Sequence, residues 1–274
     1  MRVALSFAVL DCTGARDGVP ALLRLLDTYQ LRASFAFVMG AGESPWWRRG
    51  LGFGRSMQVC AAPAMRAALD AGHEVGLAGL DAGRWRREAA FADAGRTAAD
   101  LDKACAAFED ASGRPPLFFA AAHWQVNPHL LAAQVGRGWA WASDTRGRHP
   151  FLPQLQGERS GCVQIPTTLP TMDEVLATGA AKAADVHEYL YAESRHVRPA
   201  GHVYCGRADR EGLELLPQME KLLVMWKGYE GSVRPLGQVF AEIEPDRLPV
   251  HQVGWDRVPG RDGYVAMQSV EIPK

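Results

Sequence analysis

The chain has 274 residues, of which 47% are hydrophobic and 22% charged, enough apolar material for one large core. We expect a single domain over residues 1–274, with residues 241–274, rich in Pro and Gly, as a C-terminal wrap. The 30 basic and 31 acidic residues are scattered along the chain, which argues against nucleic acid as a partner. No stretch approaches the roughly 20 apolar residues of a membrane-spanning helix, so we expect at most peripheral membrane contact.

The five cysteines stand far apart, without CxxC or zinc-ribbon spacing. We therefore expect a reducing, cytoplasmic environment, which includes the cytoplasmic face of the inner membrane. The N-terminus MRVALSFAVLDC superficially resembles a signal sequence, but the apolar run ends without a small-residue cleavage site. We interpret it as the first buried strand.

Short apolar runs alternate with segments of helical period, the pattern of repeated β–α units around a mainly parallel sheet. Asn127 and Pro128 predict a helix start, and residues 215–226 carry one apolar face. We predict seven strands, at residues 3–10, 33–38, 74–77, 117–122, 139–143, 163–167 and 202–206. Seven such units suggest an α/β barrel.

One loop does not fit the alternation. Residues 41–54 place Trp46 and Trp47 beside Arg48 and Arg49 in a glycine-rich context, a combination suited to a membrane interface or an anionic headgroup. The alternative is an ordinary surface loop whose tryptophans pack against the protein.

Ligands of parallel barrels bind at the C-terminal ends of the strands and in the loops that follow. That rule selects a set of candidate ligand-binding residues, namely Asp11, Asp81, His123, Trp124, Gln125, Asp144, Thr168 and Arg207. A zinc hydrolase needs about three histidine or carboxylate ligands, yet this set contains one histidine. The segment HEVGL begins like a zincin motif, but its fifth residue, Leu77, cannot bind metal.

Several segments resemble, in order, the deformylases that act on undecaprenyl-phosphate-linked 4-deoxy-4-formamido-arabinose, members of the polysaccharide deacetylase superfamily. These segments are LSFAVLDCTGARDGVP, HEVGL, FFAAAHW, SDTRG, QIPTTLPTMDEV, HVYCGRADREG and GRDGY. The resemblance covers nearly the whole chain. It implies a distorted seven-stranded (β/α) barrel of the polysaccharide deacetylase type.

The same resemblance implies six functional positions, and all six carry other residues here. Framework residues such as Trp124 and Asp144 match the family. The general base, the three metal ligands, the arginine of the fourth-strand motif and the catalytic histidine fall on Ala8, Leu10, Ala78, Ala82, Gln125 and Arg207. We therefore expect no metal and no other cofactor, and without the metal the bound water that drives such hydrolysis is not activated.

These substitutions predict a non-catalytic homologue. We expect it to bind a phosphosugar or an undecaprenyl-phosphate-linked sugar, or to partner an active homologous enzyme. We also expect Arg207 to turn inward and pair with Asp11 or Asp144, or to bind an anion, because an isolated buried guanidinium is costly.

Two alternatives stay open. The first is an amide hydrolase of a formamido or acetamido sugar that uses a relocated site, with Asp11, Cys12, His123 and Asp144 as candidate catalytic residues. Cys12 would be its nucleophile if His123 reached it. The second alternative is a structural interaction subunit without a ligand.

Overall fold

The computed structural model describes residues 1–42, 57–139, 141–228 and 231–273. The strands in this part of the chain are β1 (Val3–Val9), β2 (Ser34–Val38), β3 (Glu74–Gly79), β4 (Trp141–Ala142), β5 (Leu152–Leu155), β6 (Glu158–Arg159), β7 (Val163–Gln164), β8 (His202–Arg207), β9 (Val233–Arg234), β10 (Val250–Asp256) and β11 (Val265–Ile272). The helices are α1 (Val19–Thr28), α2 (Met57–Asp70), α3 (Ala82–Glu88), α4 (Ala94–Ser112), α5 (Pro128–Gly136), α6 (Met172–Thr178), α7 (Val186–Ser194), α8 (Ala208–Glu211), α9 (Leu216–Trp226) and α10 (Leu236–Ala241). The predicted membrane-facing residues Trp46 to Arg49 lie outside the described residues.

The central sheet is parallel, with strand order β3-β2-β1-β8, and β9 also pairs with β1. Its strands are buried on both faces, which explains why they are continuous apolar runs in the sequence. The register places Ala8 between Ala36 and Arg207. The C-terminal ends of β1, β2 and β8 therefore meet at one edge, as the sequence predicted.

The predicted strand at residues 117–122 is wrong as a continuous strand. Phe119 makes only isolated parallel bridges, to Leu77 and to Ala142. Beyond it, β4 pairs with β7, and the N–H groups of Thr168 and Leu169 both donate to the Val203 carbonyl of β8, at 3.0 and 3.2 Å. The α/β class is thus confirmed, whereas a regular seven-stranded barrel stays a prediction.

The C-terminal segment, which the sequence predicted as a wrap, contains two strands. β10 and β11 make an antiparallel hairpin, β10 pairs in parallel with β5, and β5 pairs antiparallel with β6, which completes a second sheet. Backbone hydrogen bonds of 2.8 Å join Arg146 to Ala266 and Gln268 of the hairpin. The hairpin is thereby fixed against the loop that follows β4.

Side-chain caps fix the starts of two helices, and the sequence predicted the first of them. The Asn127 side chain accepts the Leu130 N–H at 2.7 Å, with Pro128 in the first turn of α5. Thr171 and Glu174 form a capping box at the start of α6. Within the described ranges no helix is long and apolar enough to cross a membrane.

Candidate functional site

A narrow pit of about 60 Å³ lies at the C-terminal ends of β1 and β8. Much of its wall is small or apolar, including Ala8, Leu10 and Ala36. The polar side chains that line it are those of Ser6, His123, Trp124, Ser143, Thr171, Asp173, Cys205, Arg207, Glu211 and Arg261. The pit therefore offers hydroxyl, carboxyl and guanidinium groups around an apolar floor.

The positions expected for the metal ligands do not fit a metal. Leu10, Ala78 and Ala82 are at most 2% exposed and belong to one buried apolar cluster with Phe118 and Trp141. Aliphatic side chains have no lone pair to donate to zinc. Among the described residues, no group of three His, Cys, Asp or Glu side chains is arranged to hold an ion.

Arg207 pairs with Asp209, a partner that we did not predict. Its Nε and Nη2 donate to Asp209 at 3.1 and 2.7 Å, and its pairing with Asp11 or Asp144 stays a prediction. Asp209 lies in the first turn of α8, directly after β8, so the local chain geometry brings the two side chains together. The Arg207 side chain remains 30% exposed at the pit.

The carboxyl group of Glu211 lines the same pit as Arg207. One of its oxygens accepts the Tyr204 hydroxyl at 2.6 Å and the other the Arg207 backbone N–H at 2.7 Å. Burial raises the pKa of Glu211 to about 7, because desolvation outweighs both hydrogen bonds. The pit thus contains a carboxyl group that titrates near neutral pH.

One wall of the pit is held in an uncommon backbone conformation. His123 and Trp124 have φ values of +60° and +53°, a region that costs non-glycine residues about 1–3 kcal/mol each. The guanidinium groups of Arg146 and Arg261 both lie over the Trp124 ring, at 4.8 and 4.6 Å from a ring centroid. Its indole N–H also donates to Thr167 Oγ1 at 3.1 Å. These contacts hold the strained wall in place.

Both arginines are in turn fixed by Glu174, which is buried. Its carboxylate accepts Arg146 Nη1 at 2.9 and 3.0 Å, Arg261 Nε at 3.0 Å and the Thr171 N–H at 2.9 Å. The sequence analysis missed this network. Its signal was present, since Arg146, Glu174 and Arg261 lie in the segments SDTRG, QIPTTLPTMDEV and GRDGY.

Three predicted site residues have structural partners instead. Asp144 is fully buried and accepts Gln134 and Gln164 side-chain amides, at 2.6 and 2.9 Å. Burial raises its pKa to about 6, and it is not among the residues that line the pit. Asp81 caps α3, and Thr168 Oγ1 lies 3.1 Å from His202 Nδ1 on β8. Asp144 and Thr168 therefore hold the scaffold together.

Two other candidates are not among the residues that line the pit. Asp11 Oδ1 accepts the Gly14 N–H at 2.6 Å, which fixes the start of the helical segment after β1. Gln125 donates to the Tyr264 carbonyl at 2.6 Å and so binds the C-terminal hairpin. His123, Trp124 and Arg207 are the predicted residues that the pit brings together.

An outer groove of about 600 Å³ adjoins the pit and shares His123 and Arg261 with it. Arg86 and Arg87 of α3 lie on its wall, exposed to solvent, together with Tyr264. Pit and groove together could hold a ligand whose small head enters the pit and whose anionic part lies against arginines.

Cys12 is not a free thiol. It forms a disulfide with Cys60 of α2, with the two Cα atoms 5.3 Å apart. The proposed Cys12 nucleophile is therefore wrong, and the expectation of reduced cysteines fails for this pair. Cys105, Cys162 and Cys205 are unpaired.

Comparison with known proteins finds ArnD deformylases by sequence and polysaccharide deacetylases by structure. The chain is 26% identical, over 302 aligned positions, to a protein of Shewanella sediminis named as the 4-deoxy-4-formamido-L-arabinose-phosphoundecaprenol deformylase ArnD, covering 100% of this chain and 96% of the relative. A polysaccharide deacetylase from Mycobacterium smegmatis has a similar structure, with a TM-score of 0.68, 18% identity, and coverage of 90% and 91%. A pseudoenzyme of family CE4 from Bacillus anthracis matches with a TM-score of 0.54, 13% identity, and coverage of 87% and 64%. No family model matches the chain.

The chain therefore has the fold of the polysaccharide deacetylases. Its sequence is similar to those of ArnD deformylases.

Proposed function

We propose that this protein is a non-catalytic homologue of the ArnD deformylases that binds a phosphosugar, free or lipid-linked, at the pit and groove. The observation that carries the proposal is the apolar burial of Leu10, Ala78 and Ala82. Where the resemblance implies three metal ligands, these residues supply no donor atom. Metal-dependent hydrolysis requires those donors, because the metal lowers the pKa of the attacking water.

The remaining machinery is replaced as well. Ala8 cannot act as a base, and Arg207 keeps its proton at any physiological pH, so it cannot act as a general acid. A relocated site is disfavoured by the partners of its candidates. The Asp11 carboxylate accepts a backbone N–H, and the Asp144 carboxylate is surrounded by amide donors.

Ligand binding, by contrast, is supported by the groups that remain. Arg207 borders the pit, Arg261 borders both cavities, and Arg86 and Arg87 border the groove. Guanidinium groups bind phosphate through paired, charge-assisted hydrogen bonds. The ArnD relatives are named for a phosphate-linked sugar, and a B. anthracis protein of this fold is described as a pseudoenzyme.

We extend the proposal to the architecture and to the place of action. The hydrogen bonds from Thr168 and Leu169 to Val203 support a distorted seven-stranded barrel within a single domain spanning residues 1–274. A lipid-linked ligand would bring the protein to the cytoplasmic face of the membrane, in line with the sequence-based expectation.

Metal binding and turnover test the catalytic half of the proposal. Purified protein incubated with zinc, cobalt or nickel and then desalted should retain no stoichiometric metal and should not deformylate a formamido-arabinose phospholipid. The five substitutions Ala8→Asp, Leu10→Asp, Ala78→His, Ala82→His and Arg207→His, made together, should restore metal retention. Stoichiometric metal or turnover in the natural sequence would contradict the proposal.

Calorimetry with a formamido-pentose 1-phosphate tests the binding half. Arg207→Ala should weaken affinity by about tenfold or more, the cost of one charge-assisted contact. Arg24→Ala, an exposed arginine on α1, is the matched control and should leave affinity unchanged. Equal affinities for the sugar with and without its phosphate would contradict phosphosugar binding.

A further inference from the structure

The Cys12–Cys60 disulfide joins the residues that follow β1, close in sequence to the pit, to α2, which is distant in sequence. Cys12 is two residues after Leu10, a residue that lines the pit, and Cys60 lies in the first turn of α2, 48 positions along the chain. Both cysteines are partly exposed. A solution thiol can therefore approach the bond without global unfolding.

The three other cysteines are free thiols whose pKa values are raised by burial. Cys162 is buried, and burial raises the pKa of its thiol. Burial also raises the pKa of Cys205 to about 12 and raises the pKa of Cys105. Such thiols have little thiolate and react slowly. Cys12 and Cys60 are therefore the pair to consider for reversible thiol chemistry.

The helical segment that Cys12 begins includes a π-helix at Gly14–Gly18, continues into α1 and packs directly on the segment that carries Arg207. A methyl group at Gly18 would lie 1.9 Å from the Ala208 carbonyl oxygen, and one at Gly14 would lie 3.0 Å from the Asp209 N. The two backbones are therefore in contact with no room for a side chain between them. Asp209, the residue that Gly14 approaches, also accepts the Arg207 guanidinium, so this contact connects the helical segment to the pit.

We propose that Cys12–Cys60 is a reversible thiol–disulfide site whose reduction loosens the helical segment at residues 12–18 and, through it, the placement of Arg207. The reductant is a dithiol, either a small molecule or a dithiol protein. Its thiolate attacks one sulfur of the disulfide, and the other leaves as a thiolate that takes a proton. Its second thiol then resolves the mixed disulfide, so the protein gains two thiols and the reductant becomes a disulfide. This inference does not depend on the proposed phosphosugar function.

Thiol counting and hydrogen exchange on the native protein test the site. Air-oxidised protein, denatured and alkylated, should show three thiols, and brief treatment with dithiothreitol under native conditions should raise the count to five. Reduction should speed amide exchange at residues 12–18 and 207–211 by about tenfold, the effect expected when a local constraint is released. Exchange in β5 and β10, which pair with each other in the second sheet, is the internal control.

Variants separate the disulfide from other effects of the reductant. Cys12→Ser with Cys60→Ser should exchange like the reduced protein and no longer respond to dithiothreitol, whereas Cys105→Ser should respond normally. Five thiols in oxidised protein, or reduction that needs denaturant, would overturn the proposal. So would reduction that leaves exchange at residues 207–211 unchanged. If the double variant does not fold, the reduced natural protein still decides between these outcomes.

Discussion

Replacing Glu174 by glutamine removes one charge from a buried network while keeping the size of the side chain. The variant leaves the guanidinium groups of Arg146 and Arg261, which are 8% and 18% exposed, without their shared counter-ion. Breaking a buried ion pair by removing one partner costs about 3–5 kcal/mol. In a chain of this length about 1 kcal/mol shifts Tm by roughly 2 °C. We therefore expect Glu174→Gln to lower Tm by about 6–10 °C.

Differential scanning calorimetry measures this loss, and Glu88→Gln is the matched control. Glu88 also pairs with an arginine, Arg96, but both side chains are more than 40% exposed. Exposed pairs contribute at most about 1 kcal/mol, so the control should shift Tm by about 2 °C or less. Equal shifts in the two variants would refute the conclusion that Glu174 holds the wall of the pit.

Two further predictions concern glycine packing and pH. Gly18→Ala should destabilise the protein by about 1–3 kcal/mol, because its methyl group would meet the Ala208 carbonyl. Gly95→Ala, at the exposed start of α4, should instead stabilise it by roughly 0.5–1 kcal/mol. Urea unfolding measures both changes, and an equal loss of unfolding free energy in the two variants would contradict the close contact at Gly18. The folded pKa of Glu211 is raised to about 7 from 4.5, so its contribution to stability is complete below pH 4.5 and is lost as the pH rises through 7. The unfolding free energy of the natural protein should therefore fall more steeply between pH 5 and 8 than that of Glu211→Gln. A steeper fall in the variant would contradict a raised pKa of Glu211 in the folded state.

The sequence predicted the central sheet because its strands are continuous apolar runs. Such runs indicate parallel strands buried on both faces, whichever elements cover them. The segment at residues 117–122 has the same composition but forms only isolated bridges. Pro115 and Pro116 precede it and cannot donate ladder hydrogen bonds, a signal that favours irregular pairing.

The site was predicted less completely, because its contacts are long-range. Strand ends indicated His123, Trp124 and Arg207, which do meet at the pit. Local patterns do not reveal which charged partner a side chain will choose. Arg207 pairs with Asp209, two residues away, while Glu174 pairs with Arg261, 87 positions along the chain.

The disulfide was missed for the same reason. Cys12 and Cys60 have no motif spacing, and they meet because α2 packs beside the helical segment after β1. An odd number of widely spaced cysteines therefore does not exclude a disulfide.

The apolar cluster around Leu10, Ala78 and Ala82 also means that a restored metal site would make folding depend on the metal. The three ionisable ligands introduced at that cluster would lie uncompensated in the hydrophobic core until an ion neutralised them. A metal that binds only the folded state would then add its binding free energy to folding. The restored protein would thus melt at a temperature set by the metal concentration, a dependence that we do not expect of the natural chain.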